Sequence, residues 1–281
     1  MLIGAMNHPA REIIHEIEWM AGMGLGFIDL TLEPPLAASW KVNPGAIRRA
    51  LQQHRLGVVG HTAFYLPIAS GIEEIRRATL EELRRCADVF AAIGARWMNV
   101  HPDRHAPMHD RRFLVEKNVA TLRELIPYAN EQGVGVMVEN LPGDFNSARD
   151  LGELLDPLPE LGLHLDIGHA NLMVLHSTVG ELLAAYGPRL RHVHLHDNKG
   201  GSADLHLPLG TGTVDLREAV RLLQASGYDG TITLEVFTPD RHHLAYSRDL
   251  LQQVWSEEVG QLIREPAASE RRVPSRQAAP G

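Results

Sequence analysis

Short stretches of period-two alternation recur along the chain, separated by longer stretches with apolar residues at helical spacing. In 230–236, Ile232, Leu234 and Val236 share one face and Thr233 and Glu235 the other. In 190–196, Val193 and Leu195 oppose His192, His194 and His196; in 134–139, Val134, Val136 and Val138 oppose Gly135, Met137 and Glu139. Successive strand side chains point to opposite faces, so each stretch reads as a strand with one apolar face. The pattern predicts strands over 2–6, 26–32, 57–61, 96–101, 134–139, 162–166, 190–196 and 230–236. It predicts helices over 9–22, 44–54, 71–93, 110–132, 147–155, 176–186, 215–226 and 241–263. Gly57, Gly94, Gly133 and Gly227 follow predicted helix ends, where a positive φ is often required. Asp215 and Glu218 have the spacing of a capping box.

Eight strand–helix units imply a parallel sheet and, at this length, a single closed (β/α)8 barrel, with a doubly wound sheet as the alternative. The barrel is expected over 1–264. The remainder, 265–281, is polar and rich in Pro and Ala, lacks apolar periodicity and is expected to be disordered. Its Arg271, Arg272 and Arg276 suit solvent or an acidic partner. No internal repeat or second domain is visible.

Six of the predicted strands end in residues able to bind a metal, all on the face opposite the apolar one. They are His61, His101, Glu139, Asp166, His194 and Glu235. In barrels of this class the active site lies at the C-terminal ends of the strands. Three buried carboxylates converging there repel one another, and a divalent cation relieves that repulsion. With His194 the set Glu139, Asp166 and Glu235 gives four mixed N/O donors, suiting Mn²⁺, Co²⁺, Mg²⁺ or Zn²⁺; without sulfur the donors select no further. His192 and His196 share the parity of His194, so spacing leaves open which of the three binds. His164 shares the parity of Asp166 but lies deeper, where a hydrogen-bonded core role is expected. His169 follows three residues after Asp166, beside the metal candidates, and Asp204 and His206 form an i, i+2 pair in a Gly-rich loop.

Bulk properties narrow the class. The chain has 281 residues, 44% of them hydrophobic, and a net charge of −8, which argues against a broadly basic nucleic-acid surface or an anionic-membrane surface. One cysteine, Cys86, allows no internal disulfide, implies a reducing compartment and sits in a helical pattern as a small core residue. No apolar run approaches the ~20 residues of a membrane span. Arg11, Glu12, Glu16 and Glu18 stand where a signal peptide needs apolar residues. A soluble, cytoplasmic protein is expected.

The stretches HTAFYLPIAS, NVHP, GVMVENLPG, HLDIGHANL, HVHLHDNKG, DLHLPLGTGTVD and ITLEVF resemble the xylose-isomerase-like barrel superfamily, over most of residues 1–262. That group contains sugar and sugar-phosphate isomerases and epimerases, inosose-type dehydratases and isomerases, and endonuclease IV, an abasic-site (AP) endonuclease. Resemblance to the epimerases implies about one divalent metal per chain, held by Glu139, Asp166, His194 and Glu235, with His169 on substrate oxygens. It implies that Glu139 and Glu235 act as base and acid across a metal-chelated cis-enediolate of a sugar or sugar phosphate. Resemblance to endonuclease IV implies instead about three zinc ions on His61, His101, Glu139, Asp166, His169, His194, Asp204, His206 and Glu235, with abasic DNA as substrate. The chain departs from that branch at 139–143, which reads ENLPG against ENTAGQG, and at 166–169, which reads DIGH against DTCH. Its inferred mouth loops also carry few cations, chiefly Arg104, Lys199 and Arg241, against Glu33, Asp103, Asp110, Asp144, Asp197 and Asp240, whereas a DNA backbone is gripped electrostatically. A nucleic-acid partner therefore belongs only to the endonuclease reading. Lys199 and Arg104 are the candidate phosphate contacts. A non-catalytic polyol-binding barrel is a third reading, and the resemblance implies association into a homo-oligomer.

Overall fold

The computed structural model describes residues 1–104, 108 and 110–264. Eight strands, β1 (Leu2–Met6), β2 (Phe27–Leu32), β3 (Gly57–Thr62), β4 (Trp97–Val100), β5 (Gly135–Glu139), β6 (Gly162–Asp166), β7 (Leu190–Leu195) and β8 (Thr231–Leu234), close into a parallel barrel in sequence order. Between and after them run α1 (Ile13–Gly22), α2 (Pro44–His54), α3 (Glu73–Ile93), α4 (Arg111–Glu131), α5 (Ala148–Leu155), α6 (Val179–Tyr186), α7 (Leu216–Ala225) and α8 (His242–Arg264). The β8–β1 pairing, with Ile3 opposite Ile232, closes the sheet and excludes the doubly wound alternative. The tail 265–281, with its arginines, lies outside the described residues. No helix among the described residues is long and apolar enough to cross a membrane.

Helix starts follow from local chemistry. Asn43, Asp110, Ser147 and Asp215 each accept a hydrogen bond from the backbone N–H three residues on, satisfying a donor that the helix itself cannot. At α7 only half of the expected capping box forms, because the Glu218 carboxylate turns to Arg221 at 2.6 Å. Gly94, Gly133 and Gly227 adopt positive φ as expected, but Gly57 does not: it opens β3, and Arg55 takes the left-handed position at φ 55°.

The strand faces divide as the alternation predicts. Ile28, Leu30, Val193, Leu195, Ile232 and Leu234 join the helices in the main apolar core. The opposite face fills the barrel interior in layers. At the base, Phe27, Val59 and Met137 are buried together against Trp97. Gly4 and Gly135 make room for these rings: a Cβ at Gly4 would lie 2.6 Å from Phe27, and one at Gly135 would lie 2.3 Å from Trp97. Above this plug the interior turns polar, where barrels of this kind usually carry branched apolar side chains. Register sets His164 opposite His192, and Asp166 opposite His194. Cys86 is buried on α3, and burial pushes its thiol pKa up, as befits a packing residue.

Replacing Gly135 by Ala drives a methyl into the Trp97 ring and should destabilise the protein by about 1–3 kcal/mol. Gly22→Ala, with nothing within 4 Å of the added Cβ, should be neutral or slightly stabilising. Urea unfolding of both variants checks this; equal midpoints would contradict the plug.

Candidate metal centre

Strand ends β5, β6 and β7 and the residue after β8 bring Glu139, Asp166, His194 and Glu235 to one point, all buried. The Nδ1 of His194 lies 3.1 Å from Glu235 Oε2, 3.9 Å from Asp166 Oδ2 and 4.0 Å from Glu139 Oε1. Donors around a tetrahedral cation at ~2.1 Å are separated by ~3.4 Å, so His194 Nδ1 stands near donor spacing from each of the three carboxylates. Asp166 Oδ2 is buried and makes no hydrogen bond, which is the condition of a donor with a lone pair to give. Burial raises the Asp166 carboxyl, but His169 and His196 outweigh it and hold the group well below the usual range. Glu139 is likewise pushed up by burial, yet His164 and His101 help hold it well below its ordinary value. Both are held in the ionised form by these neighbours.

Asp29, on β2, escaped the sequence reading. It is fully buried in the barrel axis, and its Oδ2 accepts from His194 Nε2 at 2.7 Å and from Thr233 Oγ1 at 3.0 Å, with His192 Nε2 at 3.3 Å. An Nε2–H donated to Asp29 leaves the lone pair of His194 on Nδ1, facing the carboxylates. This is the carboxylate–histidine arrangement that orients metal-binding imidazoles. Burial would lower His194, but Glu235 and Asp29 outweigh it and raise it well above its ordinary value. The signal that could have found Asp29 was parity: in FIDLTL it shares the interior face with Phe27 and Thr31.

Further clusters adjoin this centre, among them His164, His192 and His194. On one side stand His61, His101 and Glu139. His101 Nε2 is 3.1 Å from Glu139 Oε2, which also accepts from Asn99 Nδ2 at 2.6 Å. Both His61 nitrogens are buried without a hydrogen bond, and burial, only partly opposed by Asp29, pushes its pKa down to about 4. On the other side stand His169, Asp204, His206 and, additionally, His196. Asp204 Oδ2 lies 3.1 Å from His169 Nε2 and 3.1 Å from His206 Nε2. His206 sits at φ 45°, a conformation sparsely adopted outside glycine, and is held there by the bridge between Asp197 and Leu207 beside it. Asp197 secures the same loop by accepting from Gly212 N at 2.8 Å and Val214 N at 3.1 Å. Asn140, next to Glu139, clamps β6 by accepting from Asp166 N at 2.7 Å and donating to Asp166 O at 2.9 Å. His164 lies below the centre, fully buried, with Nδ1 3.3 Å from Glu139 Oε2, but neither ring nitrogen makes a hydrogen bond, against the hydrogen-bonded role expected.

A cavity of about 1,750 Å³ opens above these groups, with Glu139, His169, Asp204, His206 and Glu235 in its floor. Among the described residues its lining arginines are bonded to the protein: Arg241 pairs with Glu16 at 2.9 Å and stacks on Trp19 at 3.7 Å, Arg11 lies 3.6 Å from Glu16, and Arg104 donates to Pro142 O at 2.7 Å. Lys199 is exposed and does not line the cavity.

The fold is a closed (β/α)8 barrel whose buried His, Asp and Glu clusters at the strand ends are consistent with binding of a divalent metal at the mouth. Residues 17–258 match the profile of the family described as xylose isomerase-like TIM barrel, and the chain belongs to it. An uncharacterized protein of Methanocaldococcus jannaschii is 30% identical over 195 residues, 65% of this chain and 65% of its own length. Fructoselysine 3-epimerase of Escherichia coli O157:H7 is 25% identical over 83% of this chain and 88% of its own. A protein of Aquifex aeolicus named "Probable endonuclease 4" is 25% identical over 86% and 93%. Among solved structures, a D-tagatose 3-epimerase-like protein superposes with a TM-score of 0.83 at 23% identity, covering 93% of this chain and 100% of its own, a likeness of fold.

Asp29→Asn should keep the fold and weaken binding of Mn²⁺ or Co²⁺ by about 10–100-fold, because the amide no longer fixes the His194 tautomer. Titration calorimetry of the metal-free protein measures this, and an unchanged affinity would contradict the role of Asp29.

Proposed function

We propose that the protein is a divalent-metal-dependent epimerase or isomerase acting on a ketose-type sugar. The observation that carries this reading is the meeting of His194 Nδ1 with three carboxylates, within 4.0 Å, near the floor of an open cavity. The bound cation, on Glu139, Asp166, His194 and Glu235, would supply Lewis-acid polarisation of a carbonyl and its neighbouring hydroxyl. β5 and β8 flank β6 and β7, so Glu139 and Glu235 stand on either side of the centre. One takes the carbon-bound proton and the other returns a proton to the opposite face. Asn99 fixes the Glu139 carboxylate through Oε2, and His169 Nδ1, 3.3 Å from Glu139 Oε1, lies against the Asn140 carbonyl at 3.0 Å. Exposed Phe64, Tyr65 and Phe237 line the cavity and offer aromatic faces to the apolar side of a sugar ring. With the lining arginines bonded to the protein and Lys199 outside, the mouth suits a sugar without a phosphate. The similarity to fructoselysine 3-epimerase supports the same chemistry.

A second reading, a three-cation phosphodiesterase acting on abasic DNA, is favoured by one observation. His61 and His101 adjoin Glu139 on one side of the central group, and Asp204 and His206 adjoin His169 on the other, so the nine candidate donors form contiguous clusters. Among the described residues the cations lining the cavity are bonded to the protein, which weighs against it, because duplex DNA is bound chiefly through its phosphates.

Substituting Glu139 or Glu235 by Gln should lower turnover of a responsive ketose by about 10²-fold or more while the circular dichroism spectrum is kept. Wild-type turnover in either variant would contradict the paired-carboxylate mechanism. Metal-dependent nicking of abasic duplex DNA that disappears in His206→Ala would move the assignment to the phosphodiesterase.

A further inference from the structure

His196 closes β7's run of inward histidines and is fully buried, yet neither functional reading uses it. Its Nδ1 lies 3.3 Å from the carbonyl of Asp197, an acceptor. A proton on Nδ1 leaves the lone pair on Nε2. That Nε2 is buried and makes no hydrogen bond. It faces two carboxylate oxygens, Asp166 Oδ1 at 3.4 Å and Asp204 Oδ1 at 3.6 Å. Facing two anionic oxygens, Nε2 calls for positive charge, supplied by a second proton or by a coordinated cation.

The backbone is shaped to admit this ring. A Cβ on Gly168 would fall 2.2 Å from His196 Nε2, so any larger residue in the DIGH turn would expel the imidazole. Asn198 fastens that turn from the far side, donating Nδ2–H to Gly168 O at 2.8 Å. One donor atom each from His169, His196, Asp204 and His206 lies within 4.8 Å of every other. Asp204 makes the closest approaches, 3.1 Å to His169, 3.1 Å to His206 and 3.6 Å to His196, close to the ~3.4 Å between donors on a tetrahedral ion.

We propose that His196 is the fourth donor of an outer cation site, completed by His169, Asp204 and His206 and separate from the central cation. Three of these donors are shared with the three-cation reading; the fourth changes the character of the site. Three imidazoles and a carboxylate form a closed N₃O set suited to Zn²⁺ or Co²⁺, with no position left for an attacking water. The ion straps the loop carrying Asp204 and His206 onto the turn after β6. It acts as a structural clasp on the cavity wall, whichever reaction the central site performs.

The test is a Co²⁺ titration of chelator-stripped, full-chain protein, followed by visible absorption and by metal content per chain. Wild type should bind one more Co²⁺ per chain than His196→Ala, and that ion's four-coordinate absorption band should be missing from the variant. Gly168→Ala, which displaces the ring and keeps all four donors in the sequence, should weaken the same ion by about tenfold or more. Asp29→Asn, acting through His194 on the central cation, should leave the band intact, so failure of the central site is distinguishable from failure of the outer one. Absence of a four-coordinate band in wild type, or an unchanged band and ion count in His196→Ala, would overturn the site.

Discussion

Burial of several carboxylates at one end of a closed barrel is the constraint on which the molecule depends. Asp29, Glu139 and Asp166 are at most 1% exposed, and no lysine or arginine reaches them among the described contacts. Compensation comes from histidines, delivered by the inward parity of β3, β6 and β7 and by the loops that follow. Imidazole serves both as a partner that accepts positive charge and as a metal ligand. The same architecture is therefore tolerable without a cation and disposed to take one. His194 joins the two halves of this network, bonded to Asp29 below and aimed at three carboxylates above.

The interior layering makes that arrangement affordable. Phe27, Trp97 and Met137 seal the base, so the polar upper layers do not open a channel through the barrel. The outward faces of the strands and the helices hold the main core, which leaves the interior free to be functional. Asp197, Asn140 and Asn198 then tie the mouth loops to strand ends by backbone hydrogen bonds. The donors consequently sit on or beside rigid strands, even where they belong to a Gly-rich loop.

The barrel and the mouth were legible because period-two alternation survives in the sequence. Glu139, Asp166, His194 and Glu235 each end an apolar-faced run, and those ends meet in space. What was hidden depended on register and distance. Asp29 reads as one acidic residue in an early strand, and its partner His194 is 165 residues away. Closure of β8 on β1 has no local signal that separates a barrel from an open sheet. The positive φ expected of Gly57 fell on Arg55, because the left-handed residue directly follows the helix end at His54 and Gly57, two residues on, already belongs to β3. Gly168 looked like an ordinary departure from a motif until its missing Cβ proved to be the space that His196 occupies.

Proton transfer between paired carboxylates is tested most directly by solvent exchange. Metal-loaded protein is incubated in D₂O with a panel of ketoses, and deuterium at the carbon next to the carbonyl is followed by NMR. A metal-dependent epimerase or isomerase predicts deuterium incorporation into at least one ketose that stops when the cation is chelated. No incorporation into any ketose while the central cation is demonstrably bound would contradict it.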